Sequence, residues 1–245
     1  MESLKPRALI TGASSGIGLA IAQELHKNGF CVMLLARNAT KLQSIKEQFK
    51  DNVEIYPLDL MEVNALNGFL DFLKTDGFCH LPFVCVHNVG GRLACDTQPL
   101  KLESFLESMR FNLGIAVQIN AFLLPLYARH KRGQILHISS DSALDGFGAS
   151  GYVASKAALN AYIKSTARFY AKDGVCINGV MPGIVEFPLS VWNQRKGSEV
   201  YKQALARYPL GRFASLEEIS SFVVALILQN NLQTTGQIYV LNGGK

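Results

Sequence analysis

Short apolar runs alternate with longer helical patterns from one end of this 245-residue chain to the other. The runs predict seven strands, at Arg7–Ile10, Cys31–Ala36, Val53–Pro57, Phe83–His87, Gln134–Ile138, Val175–Met181 and Gln237–Leu241. Helices are expected near 17–28, 40–50, 62–74, 102–129, 153–172 and 215–229. Such alternation is typical of parallel strands joined by helices that cover both faces of a sheet. The chain is therefore predicted to be an α/β protein with a doubly wound (Rossmann) parallel sheet of about seven strands.

The whole chain, residues 1–245, is expected to form a single domain. No linker or low-complexity segment divides it, and a hydrophobic content of 49% is enough for one core. One segment, near 184–208, interrupts the alternation and is rich in aromatic and basic residues. Because it follows the carboxyl end of a strand, it is expected to form a lid over a substrate site. The alternative is a surface excursion with a small core of its own.

Composition argues against several classes of protein. The five cysteines, at 31, 79, 85, 95 and 176, lack zinc-site spacing, so we expect reduced thiols, no metal and a cytoplasmic location. The apolar runs near 121–128 and 222–228 are too short to span a bilayer, so no membrane association is expected. No basic helix or aromatic–basic motif supports nucleic-acid binding. The net charge of +5 suits an anionic ligand but is equally that of a solvated basic surface.

The first predicted strand leads directly into a glycine-rich turn and then into a helix. Glycines permit a tight turn and a close approach of the backbone to a phosphate held at the helix N-terminus. We interpret this turn as the phosphate cradle of a dinucleotide site, formed by Gly12, Ser14, Ser15, Gly16, Ile17 and Gly18. The alternative is a purely structural turn between strand and helix.

Residues after the second and third strands bear on the choice of cofactor. An NAD site usually carries an acidic residue about 20 positions after the glycine turn. Between Glu24 and Glu47 the chain has none, whereas Arg37 follows the second strand, where a cation suits a 2′-phosphate. We therefore predict NADP(H), although Arg37 could be a solvated loop residue. Asp59, followed by Leu60, could contact adenine, and with the glutamate at 62 it also has the spacing of a capping box.

Tyr152 and Lys156 are four residues apart and would share one face of a helix. There an ammonium can lower the pKa of a phenol, which then serves as a general acid toward a carbonyl oxygen. Tyr127 and Lys131 repeat the spacing, but only the first pair follows a buried strand that ends in two serines. Tyr152 is therefore the candidate catalytic tyrosine, and Tyr127 is interpreted as structural.

Together these motifs resemble the short-chain dehydrogenase/reductase family over essentially the whole chain. The matching segments, in the family's order, are Gly12/Gly16/Gly18, Asn88-Val89-Gly90, Asn112, Ser139-Ser140, Tyr152-x-x-x-Lys156 and Asn178–Gly183. The resemblance implies that Tyr152 exchanges a proton with substrate, that Lys156 holds the nicotinamide ribose and that Asn112 supports a proton-relay water. It also places further residues at the cofactor, namely Asn88, Gly90, Pro182, Gly183 and Val185.

Two serines compete for the role of orienting the substrate oxygen. The family spacing of 13 residues before the tyrosine gives Ser139, whereas alignment forward from Gly133 gives Ser140. Neighbouring side chains on a strand point to opposite faces, so only one serine can face the cofactor. A loop loses a residue more easily than a strand shifts, and we therefore choose Ser140.

Three positions depart from the family pattern. His87 replaces the first asparagine of the usual Asn-Asn-Ala-Gly and is expected to be structural. Phe187 stands where the family often has a threonine that helps to hold the nicotinamide amide. Ser15 stands where NADP-binding members frequently have a basic residue.

The overall similarity is closest in appearance to the 3-oxoacyl-acyl-carrier-protein reductases. It implies an NADPH-dependent oxidoreductase that reduces a carbonyl to a secondary alcohol, on a small substrate that is either free or carrier-bound. The alternatives are a reductase or dehydrogenase of a sugar, polyol or secondary metabolite, and a non-catalytic NADPH-binding sensor. In this family the helix at 153–172 usually contributes to a homodimer or homotetramer, although its small-residue face could equally pack internally.

Overall fold

In the computed structural model, which describes residues 5–75 and 80–245, seven parallel strands form one sheet. The strands are β1 Arg7–Thr11, β2 Cys31–Ala36, β3 Val53–Pro57, β4 Val84–His87, β5 Gly133–Ile138, β6 Val175–Pro182 and β7 Ile238–Leu241. Their order across the sheet is β3-β2-β1-β4-β5-β6-β7, with every neighbouring pair parallel. The predicted α/β fold with a doubly wound parallel sheet is confirmed.

Ten α-helices occur in the described part of the chain. They are α1 Gly16–Lys27, α2 Ala39–Phe49, α3 Val63–Phe72, α4 Leu102–Met109, α5 Ile115–His130, α6 Ser142–Asp145, α7 Ser150–Tyr170, α8 Val191–Gln194, α9 Glu199–Leu205 and α10 Leu216–Gln229. Helices α1, α2 and α10 cover one face of the sheet, and α3, α5 and α7 cover the other. The pleat divides β1 between the two layers, with Ala8 and Ile10 in the first and Leu9 in the second.

The order of the strands reverses direction between β1 and β4. At such a switch point the connections leave in opposite directions, and a crevice opens at the carboxyl ends of the strands. The glycine-rich turn after β1 and the loop after β4 both begin there. Any ligand bound in the crevice would therefore contact these two loops and the ends of β5 and β6.

Helix α7 begins at Ser150, three residues before the predicted start. The carboxylate of Asp96, which is 1% exposed, accepts hydrogen bonds from the backbone N–H groups of Gly151 (3.0 Å) and Tyr152 (2.8 Å). The first N–H groups of a helix have no partner within it, and a negative charge is favourable at that end. The long-range contact with Asp96 therefore places Tyr152 inside the first turn of α7.

The predicted helix at 102–129 is interrupted by a π-helical turn, Arg110–Gly114, between α4 and α5. The whole run Leu102–His130 is long and apolar enough, by length and composition, to cross a membrane. The prediction that the apolar runs are too short overlooked this segment. Its buried residues, among them Ile119, Leu123 and Tyr127, pack in the core layer that covers the second face of the sheet. Core packing accounts for its apolar composition.

The segment that was predicted to form a lid contains α8 and α9 and has a small apolar cluster of its own. Ala204, Tyr208 and Phe213 are its buried centre, and Trp192 packs against them.

The four cysteines within the described residues, at positions 31, 85, 95 and 176, are free thiols, and two of them are buried. Cys79 lies outside the described residues.

Candidate active site

Lys156 is the buried cation of the candidate site. Its side chain extends from α7 to the carboxyl end of β5, where Nζ donates a hydrogen bond to the Ile138 carbonyl oxygen at 2.8 Å. The residue is 3% exposed, and burial lowers the pKa of its ammonium to about 8. The ammonium group therefore lies at the edge of the crevice, where the carbonyl group of the last residue of β5 holds it.

Tyr152 lies one turn before Lys156, with the ammonium 5.9 Å from the centre of its ring. Burial raises the pKa of the phenol, a hydrogen bond with Ser140 lowers it, and the nearby Asp141 carboxylate raises it further. The net direction is upward, so the predicted lowering by Lys156 is wrong for this state of the protein. The main reason is the burial of the phenol, and the Lys156 ammonium does not offset it because Nζ is bonded to the Ile138 carbonyl oxygen.

The two candidate serines make different contacts. Ser139 Oγ donates to Asn160 Oδ1 at 2.7 Å, which ties it to the middle of α7. Ser140 Oγ accepts from the backbone N–H of Ser142 at 3.2 Å and is hydrogen-bonded to the Tyr152 side chain. The end of β5 therefore brings Ser140, and not Ser139, into contact with the tyrosine.

Asn112 lies in the π-helical turn and is 3% exposed. Its Oδ1 accepts from Gly91 N at 2.7 Å, and its Nδ2 donates to Gly91 O (3.1 Å) and Ser108 O (3.0 Å). A buried carboxamide needs such partners, and here they tie the loop after β4 to the helix. The side chain thereby holds Gly90 against the lysine ammonium.

The glycine-rich turn has the geometry of a phosphate cradle. Gly12 and Gly16 have φ values of +66° and +57°, which few other residues adopt. A Cβ on Gly18 would lie 2.5 Å from both Asn88 Nδ2 and Gly12 O. Asn88 itself donates to Thr11 O at 3.1 Å and to Gly12 O at 3.2 Å, which fixes the turn against the loop after β4.

The turn delivers backbone N–H groups to the N-terminus of α1, where no acidic side chain lies in the first turn. Ser15 is the N-cap residue with an extended backbone, and Ser14 and Ile17 flank it on either side of the helix start. These features fit the phosphates of a dinucleotide. The Phe187 ring lies over Gly16, since a Cβ there would be 3.0 Å from Phe187 Cζ. The predicted lid therefore touches the cradle.

Arg37 and Asp59 face each other beyond the ends of β2 and β3. Arg37 Nη1 lies 3.9 Å from Asp59 Oδ2, and the arginine side chain is 75% exposed. Asp59 Oδ1 accepts from the backbone N–H of Met61 at 2.9 Å, while Glu62 caps α3 without any side-chain hydrogen bond. The predicted capping box is therefore wrong, because Asp59 closes a local turn before the helix begins. Leu60 is buried in the core.

Pro182, Gly183 and Val185 follow one another at the carboxyl end of β6. Pro182 O accepts from Asp141 N at 3.0 Å, which joins the ends of β5 and β6. Ile184 N donates to the Tyr208 hydroxyl at 2.7 Å, and a Cβ on Gly183 would lie 2.8 Å from the same oxygen. Tyr208 was not identified from the sequence, since only the folded lid brings it to this strand end.

Two other predictions concern structural residues. His87 Nε2 lies 2.7 Å from Asn120 Oδ1, its ring stacks on His137 at 4.7 Å, and burial lowers its pKa to about 4. The prediction of a structural His87 agrees with these contacts. Tyr127 is fully buried and donates to Pro82 O at 2.5 Å, so the second tyrosine–lysine pair forms no site.

Gly90 and Gly91 provide a matched test of the packing around Lys156. Both have a φ of +155°, but only a Cβ on Gly90 would clash, at 2.8 Å from Asn112 Oδ1 and 2.9 Å from Lys156 Nζ. We expect Gly90→Ala to be less stable than Gly91→Ala by about 1–3 kcal/mol, because overpacking must displace both groups. Chemical denaturation of the two variants measures the difference. Equal losses would show that backbone strain alone matters.

Comparison with known proteins identifies the family. The family profile described as short chain dehydrogenase matches residues 6–197. The 3-oxoacyl-acyl-carrier-protein reductase FabG of Rickettsia bellii is 31% identical over 242 residues, covering 97% of this chain and 95% of its own. The tropinone reductase homolog At2g29360 of Arabidopsis thaliana is 31% identical over 240 residues, covering 97% and 88%.

A solved structure extends the similarity to the fold. The L-sorbose reductase of Gluconobacter frateurii, complexed with NADPH and L-sorbose, superimposes with a TM-score of 0.85 at 27% identity. The match covers 98% of this chain and 96% of that one. The geometry of the crevice, the family profile and these relatives agree, and the chain belongs to the short-chain dehydrogenase/reductase family of oxidoreductases.

Proposed function

We propose that this protein is an NADPH-dependent carbonyl reductase in which one domain, residues 1–245, binds both cofactor and substrate. The observation that carries the proposal is the convergence of Tyr152, Ser140 and Lys156 at the end of β5. These groups lie across the sheet edge from the glycine turn, where a dinucleotide would be held. Membership of an oxidoreductase family supports this assignment.

In this mechanism the substrate carbonyl oxygen lies between the Ser140 hydroxyl and the Tyr152 phenol. Ser140 orients the oxygen, and Tyr152 O–H donates its proton as negative charge develops there. A raised phenol pKa keeps the tyrosine protonated at neutral pH, as a general acid in the reducing direction must be. A bound nicotinamide cofactor would supply the hydride that the carbonyl carbon receives. Lys156 is placed to hold the nicotinamide ribose, and Asn112 keeps the adjoining loop in position.

NADPH is the proposed cofactor because Arg37 is an exposed cation beyond the end of β2. Its separation of 3.9 Å from Asp59 leaves the guanidinium available to a 2′-phosphate. Asn88, Gly90, Pro182, Gly183 and Val185 line the remaining strand ends along which the cofactor would lie. The NADPH complex of the similar L-sorbose reductase supports the same choice.

The proposed substrate is a small carbonyl compound, with a 3-oxoacyl thioester, free or carrier-bound, as the first candidate. The similarity to 3-oxoacyl-acyl-carrier-protein reductases supports it. A keto sugar is the second candidate, supported by the structural similarity to L-sorbose reductase. In either case the segment 184–208 would close over the substrate, since Phe187 and Tyr208 already reach the cradle and the end of β6.

A homodimer or homotetramer in the cytoplasm is the proposed assembly and location. Ala157 and Ala161 on α7 are exposed, which leaves part of the small-residue face of this helix available to a second copy of the chain. Large apolar side chains are also exposed, with Leu102 at the start of α4 at 65% and Phe169 on α7 at 72%. Contiguous exposed apolar patches mark association sites, and we propose that these side chains belong to one. The free thiols agree with a reducing compartment.

Tyr152→Phe tests the catalytic assignment. The variant cannot donate a proton, so we expect its kcat/KM to fall roughly 10²- to 10⁴-fold while NADPH affinity is retained. NADPH consumption is measured against a 3-oxoacyl thioester, diketones, quinones and keto sugars. Unchanged turnover in the variant would contradict the reductase mechanism. Tight NADPH binding without turnover of any carbonyl by the wild type would instead favour a non-catalytic sensor.

Ser140→Ala and Ser139→Ala separate the two serines. Ser140 contacts the tyrosine, whereas Ser139 is bonded to Asn160, so only the first variant should lose catalytic rate. We expect kcat to fall about 10²-fold for Ser140→Ala, as for the loss of one oriented donor. Ser139→Ala should change thermal stability more than kcat. The reverse pattern would assign the catalytic role to Ser139.

Arg37→Ser tests the cofactor preference. Lys41→Ser, which removes a neighbouring exposed cation, is the control. Loss of a charged hydrogen bond of about 1.5–3 kcal/mol corresponds to a roughly 10- to 150-fold higher Kd for NADPH. The Kd for NADH should stay the same, because NADH has no 2′-phosphate. Fluorescence titration of both cofactors measures the effect. An equal change for NADPH and NADH would show that Arg37 does not recognise the phosphate.

A further inference from the structure

A buried ion cluster adjoins the candidate catalytic residues and takes no part in the mechanism above. Its centre is Lys245, whose Nζ lies 2.8 Å from Asp141 Oδ2 and 2.8 Å from Asp145 Oδ2. The side chains of Lys245 and Asp141 are only 8% and 6% exposed. Asp141 directly follows Ser140, so this cluster begins one residue from the proposed catalytic hydroxyl.

Three further side chains complete the cluster, namely Arg207, Phe147 and Tyr208. Arg207, in the predicted lid, donates to Asp145 Oδ2 at 2.6 Å, and its guanidinium carbon lies 4.1 Å from the centre of the Phe147 ring. Lys245 Nζ lies 5.4 Å from the centre of the Tyr208 ring and 5.7 Å from that of Phe147. The cluster therefore connects the end of β5, helix α6, the lid and the segment after β7.

The charges in this cluster are interdependent. A buried carboxylate is costly without a partner, and removal of one member of a buried pair leaves the other uncompensated. Burial raises the pKa of Asp141, and its ion pair with Lys245 opposes that rise. The Asp141 carboxylate also acts on Tyr152, where it disfavours the phenolate. The cation that neutralises Asp141 must therefore influence how readily Tyr152 ionises.

We propose that Lys245 is a positioning residue for the reductase reaction: it holds the Ser140–Asp145 segment in place and offsets the Asp141 charge beside Tyr152. The inference rests on the proposed carbonyl reductase function. Lys245 itself acts through Asp141 and does not need to touch the substrate. Lys245 lies on the segment that follows β7, and its ammonium makes both ion pairs from there.

Several charged groups lie around Tyr152, and the Lys245 variants leave all of them unchanged, including Asp145 of α6. On its own helix Lys156 lies 5.9 Å from the ring, and at the helix start Asp96 accepts from the Tyr152 backbone N–H. Asp141 is the charged group at the end of β5, and Arg207 reaches the cluster from the lid. A substitution of Lys245 therefore changes only the charge of Lys245 itself.

The experiment measures kcat/KM for NADP⁺-dependent alcohol oxidation against pH, because that direction requires the Tyr152 phenolate. In Lys245→Met the unopposed Asp141 charge should move the ascending limb to higher pH by about half a unit. Below the limb this shift is an approximately threefold loss of kcat/KM. Lys245→Arg should keep the wild-type profile, and Lys27→Met removes an exposed ion pair of α1 as a control.

Asp141→Asn should shift the profile in the direction opposite to that of Lys245→Met. Removal of the carboxylate should move the limb to lower pH, and the double variant with Lys245→Met should return it toward the wild-type position. If Lys245→Met does not fold, the shift in Asp141→Asn and the unchanged profile of Lys245→Arg still test the proposal. Coincident limbs for wild type, Lys245→Met and Asp141→Asn, all folded, would overturn the proposal.

A second readout does not depend on turnover. The ultraviolet absorbance of tyrosinate is titrated in each background and compared with the same background carrying Tyr152→Phe, so that the difference reports Tyr152 alone. Lys245→Met should raise the titration midpoint and Asp141→Asn should lower it. If the wild type reduces no carbonyl, the proposed function fails, and these midpoints still test the role of Lys245. Unshifted midpoints would refute that role independently.

Discussion

The arrangement of the site depends on one buried positive charge, the ammonium of Lys156. Burial moves its pKa from 10.5 to about 8, which corresponds to a cost of about 3 kcal/mol. Such a cost requires nearby polar partners, and the structure provides the Ile138 carbonyl at 2.8 Å. The ammonium also limits its neighbour to a glycine, since a Cβ at Gly90 would lie 2.9 Å from it. The end of β5, the loop after β4 and helix α7 are therefore positioned relative to this single group.

Because Tyr152 and Lys156 lie one turn apart on α7, the position of the ammonium also determines that of the phenol, provided that the helix already includes Tyr152. The Asp96 carboxylate meets this condition by accepting two backbone N–H groups of the first turn. Asn112 in turn holds the loop after β4 by hydrogen bonds to Gly91. Neither residue needs to contact a substrate for these effects. Site geometry of this kind arises from supporting hydrogen bonds that lie outside the reacting groups.

Most of the sheet could be predicted from the sequence because buried parallel strands are continuous apolar runs, and β2 and β3 have the predicted bounds. Interactions between distant segments could not be predicted in this way. The early start of α7 depends on Asp96, more than fifty residues away, and the upward pKa of Tyr152 depends on its burial. The Asp59 capping box failed because two local hydrogen-bonding patterns compete for one carboxylate.

The electrostatic surroundings differ on the two sides of Lys156. In the core behind it His87 and His137 are stacked, and burial lowers the pKa of both, so they are neutral and add no second cation. On the substrate side, Asp141 and Lys245 form a compensated pair next to Ser140. The pair can change the pKa of Tyr152, because loss of either charge leaves the other uncompensated near the phenol. The two histidines thus add no charge beside Lys156, while the ion cluster tunes the phenol.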